Sequence, residues 1–388
     1  MHALNLNSIS VYVHWPFCLA KCPYCDFNSH VRETVDEGKM AAAMTTEIDY
    51  YAGLVGARSV KSIFFGGGTP SLMSATTVDT VINRLSKRFS IDSDIEITLE
   101  ANPTSVEAGK FDDFSKAGVN RVSLGIQALN TKDLIALGRE HSLKEAFEAI
   151  ELSQKYFKRS NFDLIYARMG QSVSDWQKEL HQALKIANGH LSLYQLTIEP
   201  GTPFYGQLHS GKIIIPNEDT SAEMYDLTNQ ICESAGYEIY EISNYAKVGQ
   251  QSKHNLTYWK YLDYIGIGAG AHGRITLAGQ TYATMQYKKP ETWLKAVQMN
   301  GHATKVKENL SQKAMAEEMI MMGLRLTDGI AYTDFKNRLG TDIEKFIAMD
   351  SLVSLKSQGF VSVKNQDRLR LTEKGRPLLN QILGQILV

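Results

Sequence analysis

SVYVHWPFCLAKCPYCDF, residues 10–27, couples a β-branched and aromatic run to three cysteines within eight positions, Cys18, Cys22 and Cys25. Ser10 to Pro16 reads as a strand, so the cysteines sit in the loop that follows it. The fourth cysteine, Cys232, stands alone. A lone cysteine beside a cluster of three is the wrong arrangement for a secreted disulfide framework and points to metal or redox chemistry.

Outward from this stretch, strand-like runs recur at Ser62 to Phe65, Ile95 to Leu99, Arg121 to Gly125, Phe162 to Tyr166 and Leu191 to Thr197. Between them lie stretches with apolar residues at three- and four-residue spacing, as in Met40 to Tyr51, Val78 to Arg88 and Lys144 to Tyr156. Six β-then-α units imply a parallel sheet. The expected fold is α/β, a partial parallel (β/α)6 TIM-like barrel over residues 1–245. Beyond Glu241 the rhythm breaks, so residues 246–310, carrying HNLTYW and GIGAGAHG, read as a connecting segment. From residue 311 to 388 three helical patterns precede a hairpin, Phe360 to Thr372, with Asn365-Gln366-Asp367 at its turn, and then a last helix. That order predicts a small C-terminal α+β, winged-helix-like domain. Its charges are mixed and form no basic face, which argues for packing rather than nucleic-acid binding.

At 388 residues and 43% hydrophobic, the chain exceeds what one core holds, roughly 250 to 300 residues, so two domains are expected. Lys and Arg number 41 against 42 Asp and Glu, and no net field attracts nucleic acid or an anionic membrane. No run approaches the ~20 apolar residues of a membrane span, and the opening residues lack a leader pattern. A cytoplasmic protein is expected, with membrane contact at most peripheral.

Thiolates spaced CxxxCxxC can hold three irons of one [4Fe-4S] cube and leave the fourth open. An open iron can chelate the amino and carboxylate groups of S-adenosylmethionine and deliver the electron that cleaves a carbon–sulfur bond. Two alternatives stand beside this. Cys22-Pro-Tyr-Cys25 alone is a dithiol redox motif, and three cysteines with His14 or His30 are a zinc set. Phe64-Phe65-Gly66-Gly67-Gly68-Thr69-Pro70, ending the second strand, favours the cluster, since successive glycines let backbone groups approach a small charged ligand. Polar residues also close other strands: Glu100, Gln127, and Gln195 with Thr197, while Asp163 lies within its own. In a β/α barrel these converge on one mouth. Taken singly, each reads more readily as a strand-end cap; together, opposite the cysteine cluster, they favour a site.

YVHWPFCLAKCPYCDFNSH, FFGGGTPSL, ITLEANP, GVNRVSLGIQ, LGREHS, FDLIY, LYQLTIEPGTPF, YEISNYA, HNLTYW and YIGIGAGAHG follow in that order over most of the chain. In this series the sequence resembles radical S-adenosylmethionine proteins, in the group that contains oxygen-independent coproporphyrinogen III oxidase and the heme chaperones. The resemblance implies Cys18, Cys22 and Cys25 as cluster ligands and Tyr24 as the aromatic residue near the adenine. It implies Gly67, Gly68 and Thr69 as contacts to the methionine end. Glu100, Gln127, Arg139 and Asp163 match further cofactor contacts, and Tyr12 and Phe27 belong to the same implied cofactor-binding set. Where the family has glycine-leucine-proline after the fifth strand, this chain has Ala167-Arg168-Met169. That departure puts the loop's contacts in doubt.

The oxidase pattern carries a fourth cysteine where Phe27 stands, so the chain is similar to the chaperone branch. That branch binds heme and passes it to respiratory acceptor proteins. His254, Tyr258 and Trp259 of HNLTYW match its heme-linked element, and His272 is a second histidine to consider. From the residues alone, His254 reads first as a core histidine beside aromatics, and the heme role rests on the resemblance. The expected partners are heme and heme-accepting proteins, with a homodimer an open option. The rival reading is the porphyrinogen oxidase itself.

Overall fold

A computed structural model describes residues 7–365 and 367–387. Six strands, β1 (Ser8–Trp15), β2 (Ser59–Gly67), β3 (Ser90–Ala101), β4 (Arg121–Gln127), β5 (Arg159–Tyr166) and β6 (His190–Gln195), pair in parallel in chain order. Helices α1 (Glu37–Val55), α2 (Ala75–Arg88), α3 (Leu143–Tyr156), α4 (Val173–Ile186) and α5 (Glu218–Ser234) alternate with them. Their starts follow local chemistry. Asp36, Ser74, Ser142, Ser172 and Asn217 each accept a hydrogen bond from the backbone N–H three residues on, and Ser142 with Glu145 completes a capping box. Each such cap stabilises by about 1 kcal/mol.

Val11, Val13, Ile63, Phe65, Leu99, Val122, Leu124 and Leu164 are fully buried between strands and helices. That wrapping explains why the strands read as near-continuous apolar runs. The (β/α)6 expectation therefore describes the centre of the sheet.

Residues 246–310, expected to be a connector, instead enlarge this sheet. After β7 (Glu238–Glu241) and β8 (Asn244–Ala246) comes helix α6 (Lys253–Trp259), which carries HNLTYW. Next, β9 (Tyr264–Ile267) pairs in parallel with β1, and β10 (His272–Leu277), β11 (Gln280–Gln286) and β12 (Thr304–Asn309) extend it antiparallel. The order is β12-β11-β10-β9-β1-β2-β3-β4-β5-β6-β8-β7, an open sheet. Ile265, Ile267, Ile275 and Trp293 share the main core. The buried Glu47 of α1 ties the extension down by accepting from Gly268 N–H (2.8 Å), Ala303 N–H (3.0 Å) and the Trp293 indole (3.1 Å). The glycine-rich spelling of this region hid a strand, because Gly266 and Gly268 are required by backbone approach rather than by a loop. A Cβ at Gly266 would lie 2.1 Å from the His272 carbonyl oxygen.

The C-terminal unit has its own core, including Ile320, Phe335, Leu355, Leu369 and Ile382. Helices α7 (Pro290–Asn300), α8 (Gln312–Gly323), α9 (Tyr332–Leu339), α10 (Met349–Ser357) and α11 (Leu379–Ile386) follow in chain order, the last four within this unit. They surround a sheet of β13 (Ile330–Ala331), β14 (Val361–Lys364) and β15 (Arg368–Leu371). The expected hairpin is β14–β15. Asn365 turns it with φ 53°, while Gln366 lies outside the described residues. Asp263, almost fully buried, receives Arg58, which precedes β2 (2.7 Å), and Arg338 from α9 (2.8 Å), which joins the two units. Among the described residues no helix is long and apolar enough to cross a membrane.

Candidate cluster and cofactor site

The cysteine loop leaves β1 across the carboxyl ends of the strands. Phe17–Cys18 pairs with His30–Val31, closing the loop's base, and Cys25 N–H donates to the Cys22 carbonyl (3.1 Å), curling the CPYC turn. Cys18 is buried, and Cys22 and Cys25 are half-buried. All three line one cavity with Tyr24, Phe27, Gly67, Gly68, Thr69, Glu100, Gln127, Arg139 and Asp163. Twelve residues singled out from sequence thus meet in one place. Tyr12 stands outside it, on an adjoining cavity that shares Phe27, Gly67 and Glu100.

Glycine is required at the GGGT turn. Gly67 has φ 119°, and a Cβ at Gly68 would lie 2.5 Å from the Phe17 carbonyl oxygen and 3.0 Å from Cys18 Sγ. The turn therefore lies directly against the first cysteine. Thr69 Oγ1 donates to Cys18 Sγ (3.5 Å) and accepts from Asn102 Nδ2 (3.2 Å). Arg139 spans the opposite wall, donating to Cys22 Sγ (3.3 Å), Asn102 Oδ1 (2.6 Å) and the Gly125 carbonyl (2.8 Å).

Two carboxyl groups face the cavity interior. Glu100 accepts from Gly67 N–H (3.2 Å), and burial, with Asp163 nearby, pushes its pKa up to about 8. Asp163 accepts from Asn161 Nδ2 (3.1 Å), and burial raises it to about 6. Gln127, at φ 72°, keeps its side-chain Oε1 buried with no partner. An orphaned acceptor beside two carboxyl groups is the mark of a site built for a ligand that donates hydrogen bonds.

The lining fits the expected cofactors. Three thiols on one wall suit a cluster bound through three irons. The glycine cradle, two carboxyls and an arginine suit an amino-acid-bearing sulfonium. No three His, Cys, Asp or Glu side chains among the described residues form a set that a single metal ion requires. His14, one proposed zinc partner, has both nitrogens engaged, with Tyr12 Oη (3.0 Å) and the Asn28 carbonyl (3.0 Å).

The HNLTYW residues separate. His254 is fully buried, with Nδ1 on Ser62 Oγ (2.9 Å), Nε2 on Tyr258 Oη (2.7 Å) and its ring stacked on Phe64. Tyr258 reaches the adjoining cavity, which His14, Asn28, Tyr264, Gly270 and His272 also line. Trp259 points toward the C-terminal unit, with the Arg325 guanidinium over its ring at 4.5 Å. Arg168, the departure after the fifth strand, turns inward. It is 1% exposed and pairs with Asp133 (2.6 Å) and Glu179, while donating to the Ile165 carbonyl (2.6 Å). Two residues escaped the sequence reading. Asn102 bridges Thr69 and Arg139, and Asn28 fastens the cysteine loop to the Ala269 (3.0 Å) and Lys288 (3.1 Å) carbonyls. A strand-end polar residue in ITLEANP was the one available signal for Asn102.

Comparison with known proteins agrees with this geometry. Residues 12–183 match the Radical SAM superfamily, and residues 310–378 match the HemN C-terminal domain. The chain is 36% identical over 98% of its length to heme chaperone HemW of Escherichia coli, covering 98% of that protein. It is also 36% identical to the mitochondrial radical S-adenosyl methionine domain-containing protein 1 of Danio rerio, over 98% of this chain and 87% of that one. In fold it is similar to coproporphyrinogen III oxidase (HemN) from Escherichia coli, with TM-score 0.80 at 21% identity over 97% of this chain and 89% of that chain. Near-complete coverage at more than a third identity, together with the cysteine loop and glycine cradle in place, means that the chain belongs to the HemW family of radical S-adenosylmethionine proteins.

Proposed function

We propose that this protein is a heme chaperone that holds a [4Fe-4S] cluster and S-adenosylmethionine, binds heme and passes it to heme-accepting respiratory proteins. The single observation that carries the reading is end-to-end similarity to heme chaperones. Cys18, Cys22 and Cys25 would hold the cluster, and Gly67, Gly68 and Thr69 the methionine end, with Tyr24 beside the adenine. Glu100, Gln127, Arg139 and Asp163 would satisfy the polar groups of the cofactor. When bound, the cluster and S-adenosylmethionine supply one-electron chemistry. The protein's own part is to orient them, exclude water and present Tyr258 and Phe27 toward a second ligand. Phe27, 64% exposed at the junction of the two cavities, offers a hydrophobic surface where an oxidase would carry a further thiol.

The porphyrinogen oxidase is the second reading, favoured by the shared fold. Anaerobically reconstituted protein with S-adenosylmethionine and a reductant, offered coproporphyrinogen III, separates the two. The chaperone reading expects no decarboxylated product and about one heme retained per chain after desalting. Product formation that disappears in Cys18→Ser would sink it. We place the chaperone in the cytoplasm, with any membrane contact peripheral, and leave it free to act as a homodimer.

A further inference from the structure

The cavity beside the cluster wall has a volume of about 320 Å³ and is bounded by Tyr12, His14, Phe27, Tyr258, Tyr264 and His272. Its walls are mostly aromatic, with Glu100 and Asn28 the polar exceptions, and Phe27 at its lip is largely exposed. Such walls suit a flat apolar macrocycle, which gains from stacking as well as from burial. An imidazole that is to hold an iron at the centre of that macrocycle needs a free nitrogen.

Three histidines touch or underlie the cavity, and hydrogen bonding distinguishes them. His14 has both nitrogens occupied. His254 has both occupied too, is 0% exposed, and would have to leave its stack on Phe64 to reach an iron. His272 opens β10 at the cavity rim, is exposed, and has no hydrogen bond on either ring nitrogen among the described residues. Desolvation of the ring at the cavity rim, followed by the positive charge of Arg274 and Lys288, lowers its pKa. Arg274 is already paired with Glu318, whereas Lys288 has no ion pair among the described residues and is available to a heme carboxylate.

Resting on the chaperone reading above, we propose that His272 is the iron ligand of the bound heme, seated in this cavity against Phe27, Tyr258 and Tyr264. His254 is a positioning residue. It holds the Tyr258 hydroxyl at 2.7 Å and so fixes the ring that the heme meets.

The test is hemin titration of the full-length reconstituted protein, followed by the Soret band and by electron paramagnetic resonance of the ferric heme. His272→Ala is expected to weaken binding at least tenfold and to lose the imidazole-ligated signal, with added imidazole restoring it. His254→Ala is expected to weaken binding while retaining that signal. Cluster iron and sulfide should stay unchanged in His272→Ala, which lies on an exposed strand start. A conservative His272→Gln, expected to behave as the alanine variant does, guards against misfolding. Retention of the imidazole-ligated signal in both His272 variants, or its loss in His254→Ala alone, overturns the assignment while heme binding stands. Failure of the wild type to bind hemin overturns the chaperone reading instead.

Discussion

Glu100 is the residue where burial most changes chemistry. Its carboxyl would ionise near 4.5 in the unfolded chain and reaches about 8 in the fold, because the fold desolvates it and Asp163 stands nearby. A raised carboxyl pKa adds stability that is complete below the unfolded value and disappears as pH rises through the folded one. Between about pH 4.5 and 8 the cofactor-free protein should therefore lose stability through this group, by an amount on the order of a few kcal/mol. Glu100→Gln removes the effect. Its Tm should exceed that of wild type at pH 8 and match it near pH 4.5, as thermal melts at the two pH values would show. A ligand amino group arriving beside Glu100 should also drive off its proton. Calorimetric titration of S-adenosylmethionine in buffers of different ionisation enthalpy measures that release; equal heats in all buffers would count against Glu100 as a contact.

At the level of elements, the site depends on close backbone approach and on one buried ion set. The turn after β2 touches the cysteine loop so closely that Gly68→Ala must push Phe17 or Cys18 aside. Iron and sulfide per chain after reconstitution should fall sharply in this variant, with far-UV circular dichroism nearly unchanged. Arg168 ties the loop after β5 to Asp133 and to Glu179 of α4, and Glu179 also accepts from Leu129 N–H (2.6 Å). Truncation leaves the buried Glu179 and the partly buried Asp133 without their cation, so Arg168→Ala should cost about 3 kcal/mol by denaturant unfolding. Because the same guanidinium also contacts the Gln127 carbonyl (3.4 Å), S-adenosylmethionine affinity should fall with it.

Much of this level was legible before the fold. Cysteine spacing, the GGGT turn and polar strand ends are local features, and β/α alternation brings them to one mouth without any long-range knowledge. The inward turn of Arg168 was not legible, because a charged residue after a strand ordinarily faces water and only tertiary partners bury it. HNLTYW misled in a different way. On helix α6, His254 and Tyr258 are four residues apart and share a face, while Trp259 is rotated off it. A motif read as one binding element thus serves two surfaces.

Across the whole molecule, the sheet extension does what a barrel wall would otherwise do: β9 and β10 carry Tyr264 and His272 to the second cavity. The sequence concealed it because glycines at 266, 268 and 270 look like a loop, whereas packing against His272, His14 and Asn28 requires them. The C-terminal unit is fastened through Asp263, which also accepts from Thr276 N–H (2.6 Å). Asp263→Ala should strand Arg58 and Arg338 and destabilise by about 3 to 5 kcal/mol. Limited proteolysis should then cut between the end of β12 and the C-terminal unit faster than in wild type.

The central claim is that the protein carries heme in order to give it away. Heme-loaded, cluster-reconstituted protein mixed anaerobically with an apo-cytochrome acceptor, the two separated afterwards and each assayed for heme, measures this directly. The account predicts that heme moves to the acceptor faster than free hemin release from the protein alone, and that no coproporphyrinogen III is consumed by the same preparation. Heme that stays on the protein, or that leaves no faster with acceptor than without, would contradict it.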